Sequence, residues 1–258
     1  MANEDRLRGK QVLITGATAG IGEAAAHHFA QAGCNLILTG RRKSRLETVK
    51  CDIEKTSGVQ VKIHDFDIRD RKACQEFAGS LEAPVDILVN NAGLASGLDP
   101  VDSADFEDWD AMIDTNIKGL LNMMRLIGPS MRDRNEGQII NIGSIAGYES
   151  YPNGSVYCGT KHAVKAITRA AKMDFHGTNV RVSAVSPGLV DTEFSDVRFH
   201  GDTEKARGVY RGMQPLTADD IAEIILFTAS RPAHVNIMDT VVLPVDQSSS
   251  VMVHRKSP

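Results

Sequence analysis

The stretch QVLIT (Gln11–Thr15) followed by GATAGIG (residues 16–22) decides the fold. A short apolar run stops at Gly16, and from Ile21 to Ala32 small and apolar residues recur at helical spacing. That order reads as strand, glycine turn, helix. The spacing of Gly16, Gly20 and Gly22 is wider at its start than the G-x-G-x-x-G fingerprint, but the physical need is the same. A turn with positive φ or close backbone approach leads into a helix whose free amides and dipole can meet a pyrophosphate. On this reading Gly16, Thr18, Ala19, Gly20, Ile21 and Gly22 form a cofactor cradle. The alternative is a tight strand-to-helix turn with no ligand.

Moving outward, NLILT (residues 35–39) is a second buried strand, reached after a helix long enough for a right-handed crossover. At its end stand Arg41 and Arg42, with no carboxylate where a free ribose 2′-hydroxyl would need one. Two guanidinium groups suit a 2′-phosphate, which points to NADP; the alternative is a solvated charge run continuing through Lys43 and Arg45. Residues 44–56 read as helix and residues 59–63 as a third strand with alternating polarity, followed by Asp67 and Ile68. Asp67 could accept from an adenine amino group with Ile68 packed nearby, although an N-cap role for Asp67 or Asp70 fits equally. After a helix over residues 71–81, DILV (residues 86–89) gives a fourth strand closing in NNAG, whose small residues, with Asn91 among them, would let a ribose lie against the backbone.

The 258 residues carry a net charge of −4, and 42% are hydrophobic, enough for one large core. No linker divides them, so a single domain over residues 1–258 is expected. The charge argues against a nucleic-acid footprint or an adsorbed membrane surface. Cys34, Cys51, Cys74 and Cys158 lack zinc spacing and form no disulfide framework, so no metal is expected and reduced thiols fit a cytoplasmic chain. The polar N-terminus lacks the apolar run of a signal peptide, and no stretch is long enough to span a membrane.

In the second half, residues 104–131 form a long helical pattern with a Met and Leu stripe, interrupted by Asn116. GQIINI (Gly137–Ile142) is the fifth strand, with Ser144 at its carboxyl end; a lone serine there is usually a turn or cap residue, and no Asp or His is placed to make it a triad nucleophile. Next comes Tyr157 with Lys161 four residues on, one turn apart on the same helix face. A cation beside a phenol favours the phenolate and brings its pKa toward the working range, whereas the plain alternative is an exposed pair on an ordinary helix. Residues 180–185 are a sixth strand, after which Pro187 and Gly188 are expected to force a turn. Residues 195–214 are polar and poorly periodic, as in a substrate loop or lid. A last helix spans residues 217–229, a seventh strand 241–243, and a polar tail 247–258. The fold expected is α/β: a doubly wound Rossmann fold, a seven-stranded parallel sheet with helices on both faces.

TGATAGIG, NNAG, Asn116, Ser144, Tyr157-x-x-x-Lys161 and Pro187-Gly188 stand in the order of the short-chain dehydrogenase/reductase family, which this chain resembles over nearly its whole length. The resemblance implies an NADP-dependent oxidoreductase with Asn116, Ser144, Tyr157 and Lys161 as catalytic residues. Asn116 would distort its helix and hold a water in a proton relay, Ser144 would bond the substrate oxygen, and Tyr157 would exchange the proton. Lys161 would lower the phenol's pKa and hold the nicotinamide ribose. It also implies cofactor contacts from Pro187, Gly188, Val190 and Thr192, the last with the nicotinamide carboxamide. Longer segments, among them NNAGLASGLDP and PGLVDTEFSDVRFHGD, resemble the branch that acts on 3-hydroxy acids. Its substrates are L-serine, L-allo-threonine and 3-hydroxypropionate; its members reduce malonic semialdehyde and are usually homotetramers. A small hydroxy acid or oxo acid carries a carboxylate, and Arg198 is the expected bidentate anchor; the alternative is a salt bridge to Asp196 or Glu193 that pins the lid. Two other functions stay open: a broader carbonyl or 3-oxoacyl reductase, and a regulatory protein that binds NADP(H) without turnover.

Overall fold

Alternation along each strand sends successive side chains to opposite faces, and both faces of the sheet are covered. A computed structural model describes residues 4–256; the first three residues of the polar N-terminus and the last two of the tail lie outside it. The strands are β1 (Gln11–Thr15), β2 (Asn35–Gly40), β3 (Val61–Asp65), β4 (Ile87–Asn90), β5 (Gly137–Ile142), β6 (Val180–Pro187) and β7 (Asp239–Val242). They form one sheet in the order β3-β2-β1-β4-β5-β6-β7, every neighbouring pair parallel. Val12 and Ile14 pack into a cluster with Phe29 of α1 (Gly20–Gln31), Leu46 of α2 (Lys43–Ser57) and Ile225 of α9 (Ala218–Ala229). Leu13, between them, faces the other way, toward Phe77 of α3 (Arg71–Gly79), Met123 and Ile127 of α5 (Leu120–Asp133) and Val164 of α6 (Ser155–Asp174).

The strand order reverses between β1 and β4, so the crevice of an open α/β sheet lies beyond their carboxyl ends. Several boundaries differ from those read in the sequence. β3 runs over Val61–Asp65, two residues later than expected, because pairing with Leu36 through Gly40 of β2 sets the register of this edge strand. Pro187 does not begin a turn: it ends β6 opposite Val242, and the amide of Gly188 still donates to the Val242 carbonyl at 2.8 Å. Proline survives there because a sheet end needs no further donation from its nitrogen. β7 begins at Asp239, two residues early.

The long helix is three segments. α4 (Phe106–Ile113) runs into a π-helical stretch (Asp114–Gly119) and then α5. π-bulges widen a helix by one residue and frequent functional sites; Asn116 lies within this one. Residues 195–214 are more ordered than their polarity suggests: they contain most of α7 (Phe194–Arg198), which has no side-chain cap, and α8 (Thr203–Gly208), which Asp202 caps on the Lys205 amide.

The candidate active site

Four loops meet at the carboxyl edge of the sheet and enclose a cavity of about 800 Å³, lined by residues of the β1, β4, β5 and β6 ends and by α7. The glycine loop comes first. Gly16 has φ +67°, and a Cβ there would lie 2.8 Å from the Cα of Ala92. At Gly22 a Cβ would lie 2.4 Å from the Gly16 carbonyl oxygen and 2.5 Å from Asn91 Nδ2, so neither position tolerates a side chain. Ala19 at the N-cap of α1 offers no side-chain acceptor, which leaves the first amides of that helix uncapped by a side chain beside cavity-lining Gly16, Thr18, Ala19, Gly20 and Ile21. A cradle kept clear of Cβ atoms and rimmed by uncapped amides fits a cofactor pyrophosphate.

The NNAG loop is fastened to this turn. Asn91 Nδ2 donates to the carbonyls of Thr15 at 3.0 Å and Gly16 at 3.1 Å, and Thr15 Oγ1 accepts from the amides of Asn91 and Ala92. Asn91 therefore lines the cavity while its side chain is committed to the protein. Beyond the ends of β2 and β3, Arg41, Arg42, Asp67 and Ile68 all reach the cavity. The capping question resolves to Asp70, which accepts from the amides of Lys72 and Ala73. Asp67 takes the Arg69 guanidinium at 2.6 Å and lies 3.9 Å from Arg41; burial works against its charge, but the Arg69 hydrogen bonds outweigh it and hold the carboxyl below the ordinary range. At the other end Pro187, Gly188, Val190 and Thr192 line the wall.

Asn116 is buried, and its side chain clasps Leu94: Oδ1 accepts from the Leu94 amide at 2.9 Å and Nδ2 donates to the Leu94 carbonyl at 2.8 Å and to Thr160 Oγ1 at 3.1 Å. The expected helix distortion is present, and the amide satisfies a loop carbonyl rather than one of its own helix. A Cβ on Gly93 would lie 3.1 Å from Asn116 Oδ1 and 3.6 Å from Lys161 Nζ, so this glycine keeps the two polar groups close.

Tyr157 and Lys161 share one face of α6, both buried, and Ser144 joins them. Ser144 does cap a short turn, accepting from the Ala146 amide at 3.1 Å, and its hydroxyl lies close enough to the Tyr157 phenol to favour the phenolate. The electrostatics differ from expectation. Burial dominates at Tyr157 and drives its pKa above the ordinary phenol value, with Tyr151 adding to the rise, while Ser144 and the Arg198 cation oppose it. Lys161 points its ammonium at the Ile142 carbonyl, 3.0 Å away, and burial lowers its own pKa from 10.5 to about 8. Two cations lie near the phenol ring: Arg198, its Cζ 5.7 Å from the Tyr157 ring centroid, and Lys161, its Nζ 5.9 Å from it.

Arg198 forms no ion pair with Asp196 or Glu193 among the described residues; Nη2 donates to Tyr151 Oη at 3.1 Å and Nε to the Gly97 carbonyl at 3.3 Å. Glu193 pairs instead with Arg42 and Arg45. Sequence reasoning missed Tyr151, and it missed the tail. Gln247 is buried, accepts from the Leu189 amide at 2.9 Å and fills the space left by Gly188, while Arg255 donates to the carbonyls of Arg211 and Val209 in the 195–214 segment. Ser250, Val251, Val253 and Arg255 line the same cavity. No periodicity marks these contacts; only the glycine at 188 hinted that something approaches closely. Among the described residues no cluster of His, Cys, Asp or Glu could hold a metal ion, and no helix is long and apolar enough to cross a membrane.

A family model described as short chain dehydrogenase matches residues 10–202. The NADP-dependent 3-hydroxy acid dehydrogenase of Salmonella typhi is 48% identical over 249 residues, covering 95% of this chain and 99% of that protein. Its namesake in Schizosaccharomyces pombe is 45% identical over 255 residues, 97% of this chain and 98% of the other. Among solved structures, the closed form of a serine dehydrogenase complexed with NADP+ superposes with a TM-score of 0.89 at 46% identity, covering 95% of this chain and 100% of that one.

Proposed function

The chain belongs to the short-chain dehydrogenase family, and from that membership we propose that it is an NADP(H)-dependent oxidoreductase acting on the 3-hydroxy or 3-oxo carbon of a small acid, with Tyr157 as general acid and base. Relatives named as NADP-dependent 3-hydroxy acid dehydrogenases at 45–48% identity support the cofactor and the substrate class. The observation that carries the reading is the meeting of Tyr157, Ser144 and Arg198 at one end of the cavity whose other end holds Arg41 and Arg42.

When bound, NADP(H) supplies or accepts the hydride. Gly16, Thr18, Ala19, Gly20, Ile21 and Gly22 would hold its pyrophosphate, Arg41, Arg42, Asp67 and Ile68 its adenosine end, and Asn91, Lys161, Pro187, Gly188, Val190 and Thr192 its nicotinamide half. In reduction the substrate carbonyl oxygen lies against Ser144 and Tyr157, and the phenol gives up its proton as charge develops on that oxygen. Burial keeps the phenol protonated, which suits a donor. In oxidation the phenolate takes the hydroxyl proton, so the oxidative rate rises with pH through the alkaline range. Arg198 receives the substrate carboxylate and fixes which carbon faces the reacting edge. Lys161 contributes a cation beside the ribose; Asn116 holds the Leu94 loop and the π-helical turn against it.

Arg198→Ala tests the substrate assignment. It raises KM for 3-hydroxypropionate by about 10²-fold, as expected for a lost charge-assisted bidentate contact of ~3 kcal/mol, while KM for an uncharged alcohol changes little. Equal changes for both would remove the anchor and favour a broader carbonyl reductase. Cytoplasmic location and a homotetrameric assembly belong to the same reading, the latter supported by exposed apolar side chains on α4, α5, α9 and β7.

A further inference from the structure

We infer that Glu193 competes with the cofactor's 2′-phosphate for Arg42, and so sets how sharply the adenosine end distinguishes a 2′-phosphate from a 2′-hydroxyl while tying that choice to the lid. The inference rests on the reading of this groove as an NADP site and adds a residue to it.

Every nitrogen of the Arg42 guanidinium is engaged. Nη1 donates to Glu193 Oε2 at 2.9 Å, Nε donates to Thr18 Oγ1 at 3.3 Å, and Nη2 donates to the same hydroxyl at 2.9 Å. The other Glu193 oxygen accepts from Arg45 Nη2 at 3.4 Å. A phosphate taking Arg42 in the usual bidentate fashion has to displace one of these partners. Thr18 is neutral and belongs to the glycine loop, so it can stay as a further donor to the phosphate. Glu193 is anionic, shares the sign of the incoming group, and its side chain is 42% exposed, so water can take over its solvation when it leaves. Exposed ion pairs of this kind contribute only about 0–1 kcal/mol, which makes the exchange easy. Arg41 is already the freer of the two, 60% exposed with only a 3.9 Å approach to Asp67.

Position gives the exchange its consequence. Glu193 follows Thr192 in the cavity wall and is the N-cap residue of α7, whose last residue is Arg198. The far end of that helix is tied separately, by the Gly97 amide on the Arg198 carbonyl at 2.9 Å and by His200 on Asp108 at 3.2 Å. Release of Glu193 therefore removes its two ion pairs from the near end of the lid helix, where Ser195 still bonds Tyr210 Oη at 2.7 Å, and leaves Arg198 beside Tyr157.

Calorimetric titration of the wild type and Glu193→Gln with 2′,5′-ADP and with 5′-ADP tests this without turnover. The wild type binds 2′,5′-ADP more tightly than 5′-ADP, and the variant binds 2′,5′-ADP about fivefold more tightly still while its affinity for 5′-ADP is unchanged. In the wild type, amide hydrogen exchange over residues 193–197 quickens with 2′,5′-ADP and not with 5′-ADP. If the wild type prefers 2′,5′-ADP but Glu193→Gln binds it equally or more weakly, or exchange slows, Glu193 is a clasp or a bystander and the inference falls alone. If the wild type shows no preference for 2′,5′-ADP, the NADP reading of the arginines falls with it.

Discussion

Burial sets the protonation of the two groups on α6 that matter to the chemistry. A tyrosine and a lysine four residues apart are legible as a pair sharing a helix face, and the structure keeps them on that face. Which way the ammonium points is not legible, because it depends on the Ile142 carbonyl, a partner nineteen residues away at the end of β5. Lys161 has its pKa lowered from 10.5 to about 8 by desolvation, so the folded state disfavours its charged form. The cost is present in full below pH 8, falls as pH rises from 8 to 10.5 because the unfolded chain then holds the proton more firmly, and is gone above 10.5. Replacing Lys161 by Met removes a penalty of about 3 kcal/mol, less ~1 kcal/mol for the hydrogen bond to Ile142. We predict that Lys161→Met is more stable than the wild type by ~2 kcal/mol at pH 7, that the gain vanishes by pH 10.5, and that turnover is lost; urea midpoints at the two pH values read the stability difference. A variant less stable at pH 7 would show that the ammonium is better solvated than its burial implies.

At the level of elements, the cradle depends on absent side chains. Glycine spacing in the sequence marks the turn but not what presses on it; the reason Gly22 must be glycine is the pair of polar atoms within 2.5 Å of its missing Cβ, one of them from Asn91 in a loop at the end of β4. Gly22→Ala forces the NNAG loop off the Thr15 and Gly16 carbonyls, so we predict a stability loss of about 1–3 kcal/mol, as for overpacked sites, together with at least tenfold weaker NADP binding by titration. Unaltered affinity would mean that the loop shifts freely and the Asn91 staple is incidental. Strand boundaries divide in the same way. The interior strands β1, β2 and β5 are buried and mainly apolar, and the sequence marks their bounds closely, whereas β3 and β7 lie at the edges, tolerate polar residues, and take their limits from register with a neighbour. The 195–214 segment was readable as polar and aperiodic, but not as two short helices, since α7 has no side-chain cap and is held by Arg198 contacts to Gly97 and Tyr151, distant in sequence.

For the molecule as a whole, ordered motifs gave away the doubly wound topology, while the closing of the cavity by the tail stayed hidden. Residues 247–256 are bound mainly through side-chain and main-chain hydrogen bonds to the lid and the Gly188 turn, which leave no hydrophobic pattern. Apolar side chains exposed at Phe106 and Leu121 on α4 and α5, and at Phe227 and Val241 on α9 and β7, occupy surfaces that assembly would cover. Sedimentation equilibrium is predicted to give a tetramer; a monomer at micromolar concentration would leave those side chains unexplained. The most direct test of the central claim is the rate of nicotinamide reduction with 3-hydroxypropionate for Tyr157→Phe against the wild type, each saturated with NADP+. Tyr157→Phe should lose about 10²–10⁴-fold in kcat, the usual share of a positioned acid–base group, while binding NADP+ as before. A variant that turns over at the wild-type rate would contradict the assignment of the phenol as the group that moves the proton.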